Sequence, residues 1–150
     1  MERKGQAAME FLMTYGWAIL AAIIVIGVLA YFGVFSPGKY APNTCVVSAP
    51  FYCNAYNAIA ASGVTIEIKN NGGDDYAIAG LNVINAGAVT CTEAATSPAT
   101  VTVGSTGSVT LTCTGLAAGN VLKGDIVIKY TKPSSTVQLQ STGTITQKIT

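Results

Sequence analysis

The sequence predicts an α+β protein, with one long apolar helix at the N-terminus followed by an all-β head. Three observations predict it. The stretch from Phe11 to Phe35, about 25 residues, carries no charge at all. From Cys45 onward the pattern changes to short runs in which apolar and polar residues alternate. All four cysteines, Cys45, Cys53, Cys91 and Cys113, lie after the apolar stretch, as suits an exported domain stapled by two disulfides.

The helix is the first element. At 1.5 Å per residue the apolar stretch is roughly 37 Å long, enough to cross a bilayer. A removable secretory signal has an apolar region of only about 7–15 residues, so this one is too long. Ile19, Leu20, Ile23, Ile24, Val25, Ile26, Val28 and Leu29 cover the full turn, so every face needs burial, in lipid or in a bundle. Gly16, Gly27 and Gly33 lower intrinsic helicity but allow neighbouring helices to approach. Phe11, Tyr15, Trp17, Tyr31, Phe32 and Phe35 cluster toward the two ends, where aromatic rings anchor at membrane interfaces. Between packed helices the same rings would stack on one another. Ser36-Pro37-Gly38 is the expected stop, since proline disfavours helical geometry in the residue before it. The helix is therefore placed at 6–36, an extended linker at 37–44 and the head at 45–150.

Orientation follows from charge and sulfur. Arg3, Lys4 and the amino terminus favour a cytoplasmic leader, diluted by Lys39 on the far side. The cysteines place everything after the helix in an oxidising exterior.

In the head, Val64, Ile66 and Ile68 alternate with Thr65, Glu67 and Lys69. Val109, Leu111 and Cys113 alternate with Thr110, Thr112 and Thr114. Ile126, Ile128 and Tyr130 alternate with Asp125, Val127 and Lys129, and Val137 and Leu139 with Gln138 and Gln140. Turn clusters separate them at Asn70–Asp75, Gly104–Gly107, Gly119-Asn120, Lys132–Ser135 and Thr142-Gly143. Short strands at this spacing predict an antiparallel sandwich of immunoglobulin type. Cys91 shares a face with Val89 and Cys113 with Leu111, so both point inward. Cys45 and Cys53 flank a short loop containing Pro50. Cys45–Cys53 and Cys91–Cys113 are thus preferred over the other two connectivities.

Composition excludes most chemistry. A net charge of +1, with no basic run beyond Arg3-Lys4, leaves nothing to neutralise phosphates, so nucleic acid is not an expected partner. There is no histidine, hence no common general base and no common zinc ligand. Four thiolates can bind zinc, but no C-x-x-C pair is present. No Gly-x-Ser-x-Gly elbow and no phosphate loop occurs. Asp74-Asp75 does not match an EF-hand and reads as a solvated turn. Glu67 and Lys69 read as an exposed pair, and Lys123, Asp125 and Lys129 as a wet strand face. The Thr-rich stretch 90–114 reads as the wet side of strands, with O-linked sugars as the alternative. No Asn-x-Ser/Thr sequon is present. Neither an enzyme nor a cofactor or metal is expected.

One residue asks for chemistry. Glu10 sits at the mouth of the apolar segment, where an ionised carboxylate is costly and is a functional candidate by default. The plain reading is a side chain at the membrane interface. The sharper one needs a cation. A cut between Gly5 and Gln6 would expose an amino group on Gln6, largely protonated at neutral pH. That amine on one copy could pair with Glu10 of the next.

Lys4-Gly5-Gln6-Ala7-Ala8-Met9-Glu10-Phe11 resembles the class III leader and mature start of archaeal type IV pilins: a short basic leader, glycine before the cut, glutamine after it, glutamate fifth in the mature chain, then a long apolar helix. The chain departs at Ala8, where serine is common. The resemblance covers about the first 35 residues. It implies that residues 1–5 are a leader removed by a prepilin peptidase at Gly5/Gln6. Lys4 would help present the site, and Gln6 and Glu10 would serve assembly. It further implies identical subunits in a helical homopolymer at the cell surface, an adhesive role, a membrane-held precursor with its head outside, and an assembly ATPase with a membrane platform. An archaellum-type subunit, a minor pilin and a non-polymerising, membrane-anchored binding module are the alternatives.

Overall fold

The computed structural model describes residues 3–36 and 40–150, with side-chain exposure given from Gly5 onward. Met1, Glu2, Pro37, Gly38 and Lys39, and the side chains of Arg3 and Lys4, lie outside what is described. Two compact units divide at Tyr40/Ala41.

The first unit is helix α1, Arg3–Tyr31. Its 29 residues correspond to roughly 43 Å. It starts inside the expected leader and stops five residues before the expected end. The stop is a backbone device, not the proline. Gly33 adopts φ +70°, its N–H donates to the Ala30 carbonyl (3.0 Å), and the Val34 N–H donates to the Leu29 carbonyl (3.1 Å). This pair of bonds around a left-handed glycine is a Schellman cap. Gly33 therefore ends the helix.

The second unit is an antiparallel β-sandwich. Its strands are β1 (Thr44–Val47), β2 (Phe51–Ile59), β3 (Gly63–Asn70), β4 (Tyr76–Ile84), β5 (Thr90–Cys91), β6 (Thr100–Val101), β7 (Thr106–Leu111), β8 (Cys113–Thr114), β9 (Val121–Thr131) and β10 (Gln138–Lys148). One sheet has the order β1-β10-β9-β4-β6, the other β2-β3-β7, and β5-β8 form a separate ladder. The chain crosses between the layers at β1–β2, β3–β4, β6–β7 and after β8, as in sandwiches of the expected type.

Alternation builds the core. Val64, Ile66 and Ile68 of β3 are fully buried and face Ile126 and Ile128 of β9, Leu81 and Val83 of β4, and Ile145 of β10. Phe51, Tyr76 and Tyr130 close one end with edge-to-face rings 5.0–5.5 Å apart. Asn70, also fully buried, satisfies its side chain completely. Its Nδ2 donates to the Val101 and Asp74 carbonyls (both 2.8 Å), and its Oδ1 accepts from the Gly72 N–H (2.9 Å).

The strands depart from the sequence expectation at several points. Thr142-Gly143 is not a turn but the middle of β10, which runs unbroken to Lys148. Val137, read as a strand residue, precedes β10 and is 63 % exposed. Gly143 is needed because β1 leaves its sheet there to cross into the other layer, and a Cβ at Gly143 would stand 2.1 Å from the Val46 carbonyl oxygen. Backbone cannot yield that far cheaply. Gly143→Ala is expected to destabilise the head by about 2 kcal/mol, visible as a lower urea midpoint at unchanged slope. The linker also ends earlier than expected, since Asn43 Oδ1 accepts the Lys148 N–H (3.0 Å) and Thr44 already pairs with Thr146.

Candidate functional site

The residues expected to be processed and to serve assembly all lie on the first turns of α1. Gly5 and Gln6 are exposed, and the peptide bond between them is helical. A protease needs an extended segment, so a cut here would require this turn to open. Gly5 lowers the cost, being worth about 1 kcal/mol less than alanine in a helix. Four residues on, Glu10 lies on the same face as Gln6, and its side chain is exposed. The Thr14 hydroxyl donates to the Glu10 carbonyl (2.9 Å). This is a back-bond inside the helix, and among the described residues no side chain engages the carboxylate. Thr14 was not singled out in the sequence, because a hydroxyl four residues after the carboxylate is a common helical feature. After a cut at Gly5, Glu10 would sit in the first turn and a half, where the helix dipole favours a negative charge.

Beyond Glu10 the helix has only apolar and small polar side chains to offer. Gly5–Tyr31 is long and apolar enough to cross a membrane, and none of it is buried within the chain. Met13 is 83 % exposed and Trp17 72 %. Leu12, Leu20, Ile23, Ile24 and Ile26 stand exposed around the whole circumference. A surface of this size and uniformity is stable only against lipid or protein. The Phe11 and Tyr15 rings lie 4.9 Å apart, tilted, near one end, and Tyr31 and Phe32 meet edge-to-face at the other.

The head places its cysteines as paired in the sequence, Cys45–Cys53 and Cys91–Cys113. Their structural roles differ from the expectation. Cys45 is on β1 and Cys53 on β2, so this bridge ties the two sheets together. Cys91 and Cys113 are direct register partners in the β5–β8 ladder. That bridge joins neighbours within one ladder, with Cys91 buried and Cys113 half-buried.

The remaining charged candidates are engaged locally. Glu67 accepts from Asn54 Nδ2 and not from Lys69. Glu93 reaches Lys129 at 2.5 Å, and Asp125 accepts from Asn85 Nδ2 (2.7 Å). Asp74 stands 3.6 Å from Lys132, and Asp75 Oδ1 accepts the Val103 N–H (2.9 Å). Among the described residues no group of three acidic, cysteine or histidine side chains converges as a metal site would require. An open depression of about 520 Å3 on the outer face of the larger sheet is lined by Val46, Ile84, Val127, Thr142 and Thr144, with the Asn85-bound Asp125 at its rim. It has no aromatic platform and no second ionisable group.

No protein-family model matches the chain, and no curated protein matches it.

Proposed function

We propose that the chain is the structural subunit of a pilus-like cell-surface filament and polymerises through α1. The observation that carries this reading is a 27-residue apolar helix, exposed on every side, whose one carboxylate is the fifth residue after a Gly5–Gln6 junction. Lipid alone would satisfy the apolar faces of the precursor, but it gives Glu10 no partner. A neighbouring copy bearing a free amine on Gln6 satisfies both. Lipid is as apolar as the helix, so transfer from membrane to filament gains little from the hydrophobic effect. The net drive comes from helix packing and from this charge pair. The head, with its internally paired carboxylates and two disulfides, suits an exposed, oxidising surface. The precursor is held in the cytoplasmic membrane with the head outside, is cut by a prepilin peptidase, and is raised into the filament by an assembly ATPase and a membrane platform. Adhesion is the role such a filament serves here.

Intact mass of protein sheared from the cell surface tests the reading. The expected mass lacks Met1 to Gly5, and the sheared material shows thin filaments by negative stain. Retention of Met1–Gly5 in monomeric surface protein would instead identify a membrane-anchored module. Rotation of tethered cells would identify an archaellum-type subunit, and labelling confined to filament tips a minor pilin.

A further inference from the structure

The turn between β3 and β4 carries the chain's one Asn-Gly dipeptide, Asn71–Gly72. In such a pair the backbone nitrogen of the glycine can attack the side-chain carbonyl carbon of the asparagine. A five-membered imide forms, the carbon–nitrogen bond of the amide breaks, and ammonia leaves. The proton lost from the glycine nitrogen is relayed through water to the departing nitrogen, which leaves as neutral ammonia. Water then opens the ring at either carbonyl, giving aspartate or isoaspartate. Glycine favours the attack because it has no side chain to obstruct it.

We propose that Asn71 is the deamidation site of this protein and that Asn70 is the residue that holds its rate down. Asn71 is exposed, so water reaches it. The fold cannot replace Gly72, because a Cβ there would stand 2.7 Å from the Tyr76 ring and 2.9 Å from Pro50 Cβ. The reactive dipeptide is therefore built in. Its nucleophile, however, is already occupied. The Gly72 N–H donates to Asn70 Oδ1 at 2.9 Å. That oxygen is held in place because Asn70 is fully buried and its Nδ2 is bonded to two carbonyls. The Asn71 N–H is fixed as well, on the Pro50 carbonyl at 3.0 Å. To react, Gly72 must give up its bond to Asn70, and the turn must lift from Pro50. The product would add a carboxylate beside Asp74 and Asp75. As isoaspartate it would also lengthen the backbone by one methylene in a turn seated on the Tyr76 ring.

The full chain, disulfides intact and kept in detergent, is incubated in mildly alkaline buffer and mapped by peptide mass spectrometry for the exchange of NH2 by OH. In the folded protein Asn71 is the first asparagine to change, at least about tenfold more slowly than in urea, the factor one hydrogen bond can supply. Asn70→Ala raises the folded-state rate by about the same factor, while Asn71→Gln abolishes the early modification. Equal rates for folded and unfolded chain, an earlier change at another asparagine, or an unchanged rate in folded Asn70→Ala overturns the proposal. If Asn70→Ala does not fold, hydrogen exchange at the Gly72 amide of the native protein decides. Slow exchange supports the restraint and free exchange overturns it.

Discussion

Replacing Glu10 by alanine is expected to leave the Gly5–Gln6 cut intact and to abolish filaments. The proposed cut would need an open turn around Gly5, which the side chain at position 10 does not hold closed. Assembly, on the proposed pairing, would need the carboxylate. In the filament the amine of one copy would lie among apolar side chains from its neighbours, where an unpaired charge is expensive. Breaking a buried pair by removing one partner costs about 3–5 kcal/mol. At about 1.4 kcal/mol per decade, that is roughly two to three and a half orders of magnitude in subunit affinity at every contact of the polymer. Glu10→Gln keeps the shape and an acceptor but not the charge, so it should give few, short filaments. Intact mass and negative-stain counts of sheared material read both steps separately. Cleaved protein without filaments is the expected outcome, and normal filaments from Glu10→Ala would remove the pairing mechanism. Accumulation of uncleaved precursor would show instead that Glu10 is read by the peptidase.

The strands that were legible in the sequence are those whose alternation is unbroken. In β3 the buried set Val64, Ile66, Ile68 keeps one phase, and in β9 Leu122, Ile126, Ile128 and Tyr130 do the same. The two long strands that escaped notice, β2 and β4, are the bulged ones. In β4 the inward set begins on even positions, Tyr76 and Ile78, and resumes on odd ones, Leu81 and Val83, because the register slips between Ile78 and Gly80. β2 does likewise around Asn54, passing from Phe51 and Cys53 to Ala58. A one-residue slip moves every later side chain to the opposite face, so a period-two pattern fails at the bulge although the strand continues. Thr142-Gly143 misled for another reason. Its glycine answers a backbone that passes close by from a segment almost a hundred residues earlier, which no local window contains. For the helix, apolarity identified the element, but the stop at Gly33 was hidden. A left-handed glycine inside an apolar run looks the same in sequence as a packing glycine. Glu10 was legible because a lone carboxylate in an apolar segment has few structural uses.

The two disulfides should differ in what their loss does, and loop length alone gives the wrong order. Sequence separations of 8 and 22 correspond, in the chain-entropy relation, to about 2.5 kcal/mol for Cys45–Cys53 and about 3.4 kcal/mol for Cys91–Cys113. That relation assumes the native state stays unchanged when the bridge is removed. For Cys91–Cys113 it does not hold. The bridge joins two-residue strands in a ladder separate from both main sheets, and without it the ladder can open locally while the sandwich stands. The native state then recovers part of the freedom given to the unfolded chain, which caps the loss at about 1–2 kcal/mol. Cys45–Cys53 allows no such relief. It ties β1, the edge strand nearest the helix in sequence, to β2 in the opposite layer, and Cys53 is itself in the core. Without it β1 is held to the head by four register pairs with β10 and by the crossover at Gly143. Cys45→Ala/Cys53→Ala is therefore expected to cost about 3 kcal/mol in urea unfolding of the full chain. Cys91→Ala/Cys113→Ala should cost less, and should speed amide exchange around 90–92 and 112–114 before the core is affected. The reverse order of stability would mean that both bridges act through the unfolded chain alone, and that the link between the layers adds nothing to the folded head.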